Sequence, residues 1–77
     1  SKSVDVNERM LAFAGKLKIG DEFSREDFEH FFEGKISEKT ARNDIGKLLE
    51  GEWIYRIGDG PATKYVRTNK ELPEITG

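Results

Sequence analysis

The chain has 77 residues, 35% hydrophobic and 36% charged, with a formal net charge of −2; a domain this small buries only about 60% of the surface its unfolded form exposes, which argues against a deep catalytic cleft. Zero cysteines and one histidine exclude disulfide staples, cysteine nucleophiles and zinc sites with their usual nitrogen and sulfur ligands. No apolar run approaches the ~20 residues that span a bilayer, and the N-terminus lacks the apolar core of a signal peptide, so the expectation is an intracellular, cytoplasmic module without membrane contact.

Val6, Met10, Phe13, Ala14 and Leu17 recur at helical spacing, and Asp5 with Glu8 resembles a capping pair, which predicts a first helix over roughly 6–18. Gly20-Asp21 breaks it. Phe23, between polar neighbours, is a candidate for a very short strand or a single apolar anchor. Ser24 before Arg25-Glu26-Asp27 is an N-cap with acids in the first turn, and Phe28, Phe31 and Phe32 share one face of a short second helix that Gly34 ends. Ser37 caps a third helix, 37–50, whose Ala41, Ile45, Leu48 and Leu49 lie within about 100° of arc. Gly51 closes it. Trp53-Ile54-Tyr55-Arg56-Ile57 and Thr63-Lys64-Tyr65-Val66-Arg67 are rich in β-branched and aromatic residues around the turn Gly58-Asp59-Gly60-Pro61-Ala62, which predicts a hairpin. The domain is thus expected over 1–67, and 68–77, polar and with Pro73, as a flexible tail or linker. Ser1 in place of an initiator methionine reads as a fragment of something longer or a residue left by tag removal. There is no internal repeat and no low-complexity tract.

The order helix, short strand, helix, helix, hairpin is α+β and is the order of a small winged helix-turn-helix, with the hairpin as the wing. The segment Ser37-Glu38-Lys39-Thr40-Ala41-Arg42-Asn43-Asp44-Ile45 resembles the recognition helix of DeoR-type repressors and of the winged-helix modules in Fic-family and helicase-related proteins. Leu48-Leu49-Glu50-Gly51 supplies the exit those families use, Trp53-Ile54 follows, and Gly58 through Tyr65 resembles the wing, so that the likeness covers about residues 34–67. Two positions depart from the pattern: Asn43 stands where a second arginine is common, and Asp59 stands at the tip where wings often carry basic residues. The resemblance implies a double-stranded DNA-binding module, a transcriptional regulator or part of one, that inserts helix 37–50 in the major groove. The alternative it leaves open is a winged helix that binds protein and not DNA.

Charge distribution agrees with the first alternative, since residues 1–34 carry 5 basic and 8 acidic side chains whereas residues 35–67 carry 7 and 5. With Ile45 at the centre of the buried face, Asn43 and Lys47 fall nearly opposite, flanked by Thr40, Lys39 and Glu50. Asn43 is the candidate reader of adenine, Lys39 and Lys47 suit phosphate or guanine, and Ser37 and Thr40 sit at the helix N-terminus beside Lys35. Arg42, some 60° from the core centre, either reaches phosphate or pairs with an acid such as Glu38. Arg56, Lys64 and Arg67 on the hairpin are candidates for backbone contacts. The competing reading of all these cations is an ordinary solvated surface.

Asp44 is expected to pair with Lys47 or Arg56. Trp53 and Tyr65 read as core in preference to base-stacking residues, and His30 as a surface residue. Phe28, Phe31 and Phe32 either pack on the first helix or leave one ring free for another domain or chain. No carboxylate stands with a nucleophile, histidine or metal set, so no enzyme, metal or cofactor is expected; Gly34-Lys35-Ile36-Ser37 lacks the upstream glycine of a phosphate loop. A homodimer is expected only on the ground that such regulators often pair half-sites.

Overall fold

The computed structural model describes residues 6–73. In chain order these form α1 (Glu8–Ala14), β1 (Glu22–Phe23), α2 (Arg25–Phe31), α3 (Glu38–Glu50), β2 (Ile54–Ile57), a short 3-10 turn (Gly60–Ala62) and β3 (Lys64–Arg67). The result is a small α+β domain of three helices and a three-stranded antiparallel sheet. No helix among the described residues is long and apolar enough to cross a membrane.

Local hydrogen bonding explains where the helices start. In α2 the Ser24 hydroxyl accepts from the Asp27 backbone N–H at 3.2 Å while the Asp27 carboxylate accepts from the Ser24 N–H at 2.9 Å, a reciprocal capping box. Ser37 caps α3 by accepting from the Thr40 N–H at 3.1 Å. The first helix differs from expectation at both ends. Asn7, accepting from the Met10 N–H at 2.9 Å, is its cap; Asp5 lies outside the described residues. It stops at Ala14 because Gly15 follows, and the Lys16 and Leu17 N–H groups bond three residues back in a tightened last turn. Leu17 still packs against the core.

Phe13 is the hub of that core, with ring centroids 4.8 Å from Phe23, 4.7 Å from Phe28 and 5.3 Å from Phe31. Met10, Phe28 and Leu48 are fully buried around it. Phe23 is therefore both anchor and strand: β1 pairs with β3 in the register Glu22 to Val66 and Phe23 to Tyr65, giving the strand order β1-β3-β2. Because cross-strand partners share a face, Phe23, Ile54, Arg56, Tyr65 and Arg67 lie on the face toward the helices. Tyr55, Ile57, Lys64 and Val66 lie on the other.

Two expectations for the C-terminal part are corrected. Within the expected 68–77 tail, residues 68–72 are docked, and 74–77 lie outside the described residues: the Thr68 N–H donates to the Trp53 carbonyl at 2.9 Å, and its hydroxyl donates to the Glu52 carbonyl at 2.8 Å. Leu72 packs on the core. The buried Trp53 indole explains the docking, since its N–H needs an acceptor and finds the Glu71 carbonyl at 2.9 Å, with the Lys70 ammonium 4.8 Å from the ring centroid. Gly51 makes room, for a Cβ there would overlap the Trp53 ring. Arg67, expected on the surface as a phosphate contact, is turned inward and buried, donating from Nη1 to the carbonyls of Trp53 at 3.1 Å and Thr68 at 2.6 Å. Burial pushes its guanidinium pKa below the ordinary value.

Candidate nucleic-acid interface

Helix α3 buries Ala41, Asp44, Ile45 and Leu48 and turns Lys39, Asn43, Lys47 and Glu50 to solvent. This is the face opposite Ile45 that helical geometry requires. Leu49 is half-buried at the margin. At the N-terminus of α3 the Ser37 hydroxyl also donates to the Thr40 hydroxyl at 3.1 Å, which leaves the Thr40 O–H as the free donor of the pair, and Thr40 is half-buried. Lys35 is exposed just before it.

Two of the three acids of α3 are held by arginines, and the third, Glu50, is exposed without a cation partner among the described residues. Asp44, only 2% exposed, accepts from Arg9 Nε at 2.9 Å and Nη2 at 3.4 Å and from the Asn7 amide at 3.1 Å. That corrects the expected pairing with Lys47 or Arg56. Asp44 lies at the flank of the buried stripe that meets the start of α1, a juxtaposition helical periodicity does not contain. Hydrogen bonding to Asp44, aided by its charge, raises the Arg9 guanidinium pKa further above its ordinary value. Glu38 pairs with Arg42 at 2.7 Å and with Arg25 at 3.7 Å, and Arg25 also holds Glu29 at 3.1 Å. Arg42 thus takes the acid partner weighed for it, in an exposed pair whose net contribution to stability is small.

With Asp44 and Glu38 neutralised in this way, Lys39 and Lys47 flank Asn43 without an acid partner among the described residues; the same holds for Lys35, Arg56 and Lys64. Lys64 is exposed on the outer face of the hairpin and Arg56 on the inner one. The hairpin tip, with Asp59, is exposed.

A groove of about 600 Å³ runs between the first turn of α2, the flank of α3 and the inner face of the hairpin. Arg42 and Gly46 of α3 face Arg56 and Pro61 across it, Ile45, Leu49 and Tyr65 form its apolar floor, and Ser24, Arg25 and Glu26 close the α2 side. It brings together two of the residues singled out from sequence, Arg42 and Arg56; Lys35, Lys39, Lys47 and Lys64 do not line it. Sequence reading passed over Gly46, although an isolated glycine inside a helical pattern is a signal, since it costs roughly 1 kcal/mol against alanine.

Elsewhere, Phe28 is fully buried, Phe32 half-buried and Phe31 39% exposed, its ring stacked edge-on against Phe13 and Phe32. His30 is exposed, Trp53 is buried and Tyr65 half-buried. No three His, Asp or Glu side chains among the described residues are grouped so as to hold a metal ion. Compared with known protein families, with characterised proteins and with solved structures, the chain gives no match.

Proposed function

We propose that this chain is a winged-helix module that binds double-stranded DNA by laying the outward face of α3 in the major groove, with the β2–β3 hairpin as its wing. The observation that carries the reading is the state of charge on α3: Asp44 and Glu38 are held by arginines, while Lys39, Asn43 and Lys47 stand exposed with Glu50 as the one acid beside them on that face. Such a face fits a groove about 12 Å wide. Asn43 offers an amide for bidentate pairing with adenine, and Lys39 and Lys47 supply phosphate contacts or reach guanine. Arg56 and Lys64 supply backbone contacts from the hairpin, and Ser37, Thr40 and Lys35 the polar approach to the helix start. Because the chain as a whole is acidic, affinity is weak and strongly salt-dependent, as expected of a cytoplasmic regulator or of the DNA-binding part of a larger protein, working as a pair on two half-sites.

The deciding experiment is an NMR titration with a mixed-sequence duplex at about 50 mM salt. Shifts concentrated in residues 35–47 and on the hairpin support the reading, and Asn43→Ala then relaxes base preference while duplex binding survives. Absence of shifts throughout α3 overturns it. One observation favours a second reading, a protein-binding winged helix: Phe31 is 39% exposed on an acidic helix, and Tyr55 is 51% exposed on the outer sheet face. A partner footprint on residues 25–33 with no duplex-induced shift would select it.

A further inference from the structure

Seven glycines fall among the described residues, and six have a local reason to be glycine. Gly20, Gly34, Gly58 and Gly60 have positive φ. A Cβ on Gly15 would stand 2.9 Å from the Leu11 carbonyl oxygen, and one on Gly51 would overlap Trp53. Gly46 has neither reason, for it is helical and a Cβ added to it would meet nothing within 4 Å. It stands inside α3, where alanine is the better helix former, so the folded chain gains nothing from the missing side chain. What glycine does allow at such a point is close approach of another molecule to the helix backbone.

Gly46 opens on the groove between α3 and the hairpin. One turn earlier on α3 stands Arg42, whose exposed pair with Glu38 a phosphate would have to share or displace, and across the groove stands Arg56, which has no acid partner among the described residues. Two guanidinium groups on opposite walls match phosphate, which arginine binds bidentately. On the floor the half-buried Leu49 and Tyr65 offer apolar surface to sugar rings.

We infer that Gly46 is the point where one sugar–phosphate strand of the duplex lies against α3, clamped between Arg42 and Arg56; the inference rests on the DNA reading above. An acidic protein segment would meet the same arginines, but the strand is favoured because the groove adjoins the exposed Asn43–Lys47 face, so one duplex reaches both.

The test uses Gly46→Ala in the 77-residue chain, measuring thermal unfolding without DNA and affinity for a mixed-sequence duplex of about two helical turns. Filling open space in a helix raises Tm by roughly 4–8 °C. Crowding the strand weakens duplex binding by roughly tenfold. The two effects have opposite sign, which a purely structural glycine does not produce. A raised Tm with unchanged duplex affinity overturns the inference and leaves the DNA reading standing, and so does unchanged duplex affinity with lost binding of a glutamate-rich peptide, which assigns the groove to a protein segment. A lowered Tm overturns it as well. No duplex binding by the unaltered chain overturns the DNA reading, and this inference with it.

Discussion

The α1–α2 half and the α3–hairpin half of this molecule use their cations in different ways. Arg9 and Arg25, from the acidic first half, reach across to Asp44 and Glu38 on α3, 2.9 Å and 3.7 Å away. In the second half Arg42 pairs with Glu38 on its own helix at 2.7 Å, whereas Lys39, Lys47, Arg56 and Lys64 pair with no acid among the described residues. One half therefore anchors α3, and the other leaves its outward face positive. Net charge is therefore a poor guide to this small domain's surface: the total is −2, yet Asp44 and Glu38 are paired with arginines, and Lys39 and Lys47 outnumber Glu50 on the exposed face.

The two halves can be perturbed at their packing, at the anchor of α3 or at the surface. The largest effect is expected from Phe28→Ala. Phe28 is fully buried at 4.7 Å from Phe13 and 5.1 Å from Phe32, so truncation should cost about 3–5 kcal/mol, comparable to the whole stability of a domain this size. A circular dichroism melt should show the loss, and a cooperative transition within a few degrees of the parent would contradict the aromatic core.

Asp44→Ala comes next, at about 2 kcal/mol in urea unfolding, because Arg9 and Asn7 both lose their acceptor. The Arg9 side chain is 41% exposed, so solvent screens the ion pair. A double-mutant cycle with Arg9→Ala should return a coupling of only about 1 kcal/mol. Coupling near zero would mean that Asp44 is held by Asn7 alone.

A sharper contrast sets Lys47→Ala against Lys16→Ala. Both lysines are exposed and without an acid partner among the described residues, but only the first lies on the proposed interface. Lys47→Ala should weaken every duplex alike and lower the salt slope by about one contact; Lys16→Ala should change neither. Equal effects from the two would reduce the binding to unspecific attraction. The smallest effect on stability belongs to Glu38→Gln, within about 0.5 kcal/mol because its pairs are exposed. It frees Arg42 for phosphate, so duplex affinity should rise severalfold at low salt. A fall would show that the Glu38 pair positions Arg42 for binding and does not compete with it.

What the sequence determined by itself was whatever depends on neighbours a few residues away. Ser24 and Ser37 announce helix starts because their hydroxyls cap N–H groups within the next turn. The 3.6-residue period turns Ala41, Ile45 and Leu48 inward and Asn43 and Lys47 outward, so the exposed part of the candidate site was legible. The hairpin followed from its turn residues between two β-prone runs.

Tertiary structure alone decided what depends on partners far along the chain. A strand of two residues is specified only by pairing with β3. Asp44 became an anchor because α1 brings Arg9 and Asn7 to it, Arg67 turned inward because its register with Ile54 puts it on the inner face, and Thr68–Leu72 docked because the buried Trp53 indole needed an acceptor. The groove at Gly46 has walls from three elements, and no local pattern contains a surface made by their meeting.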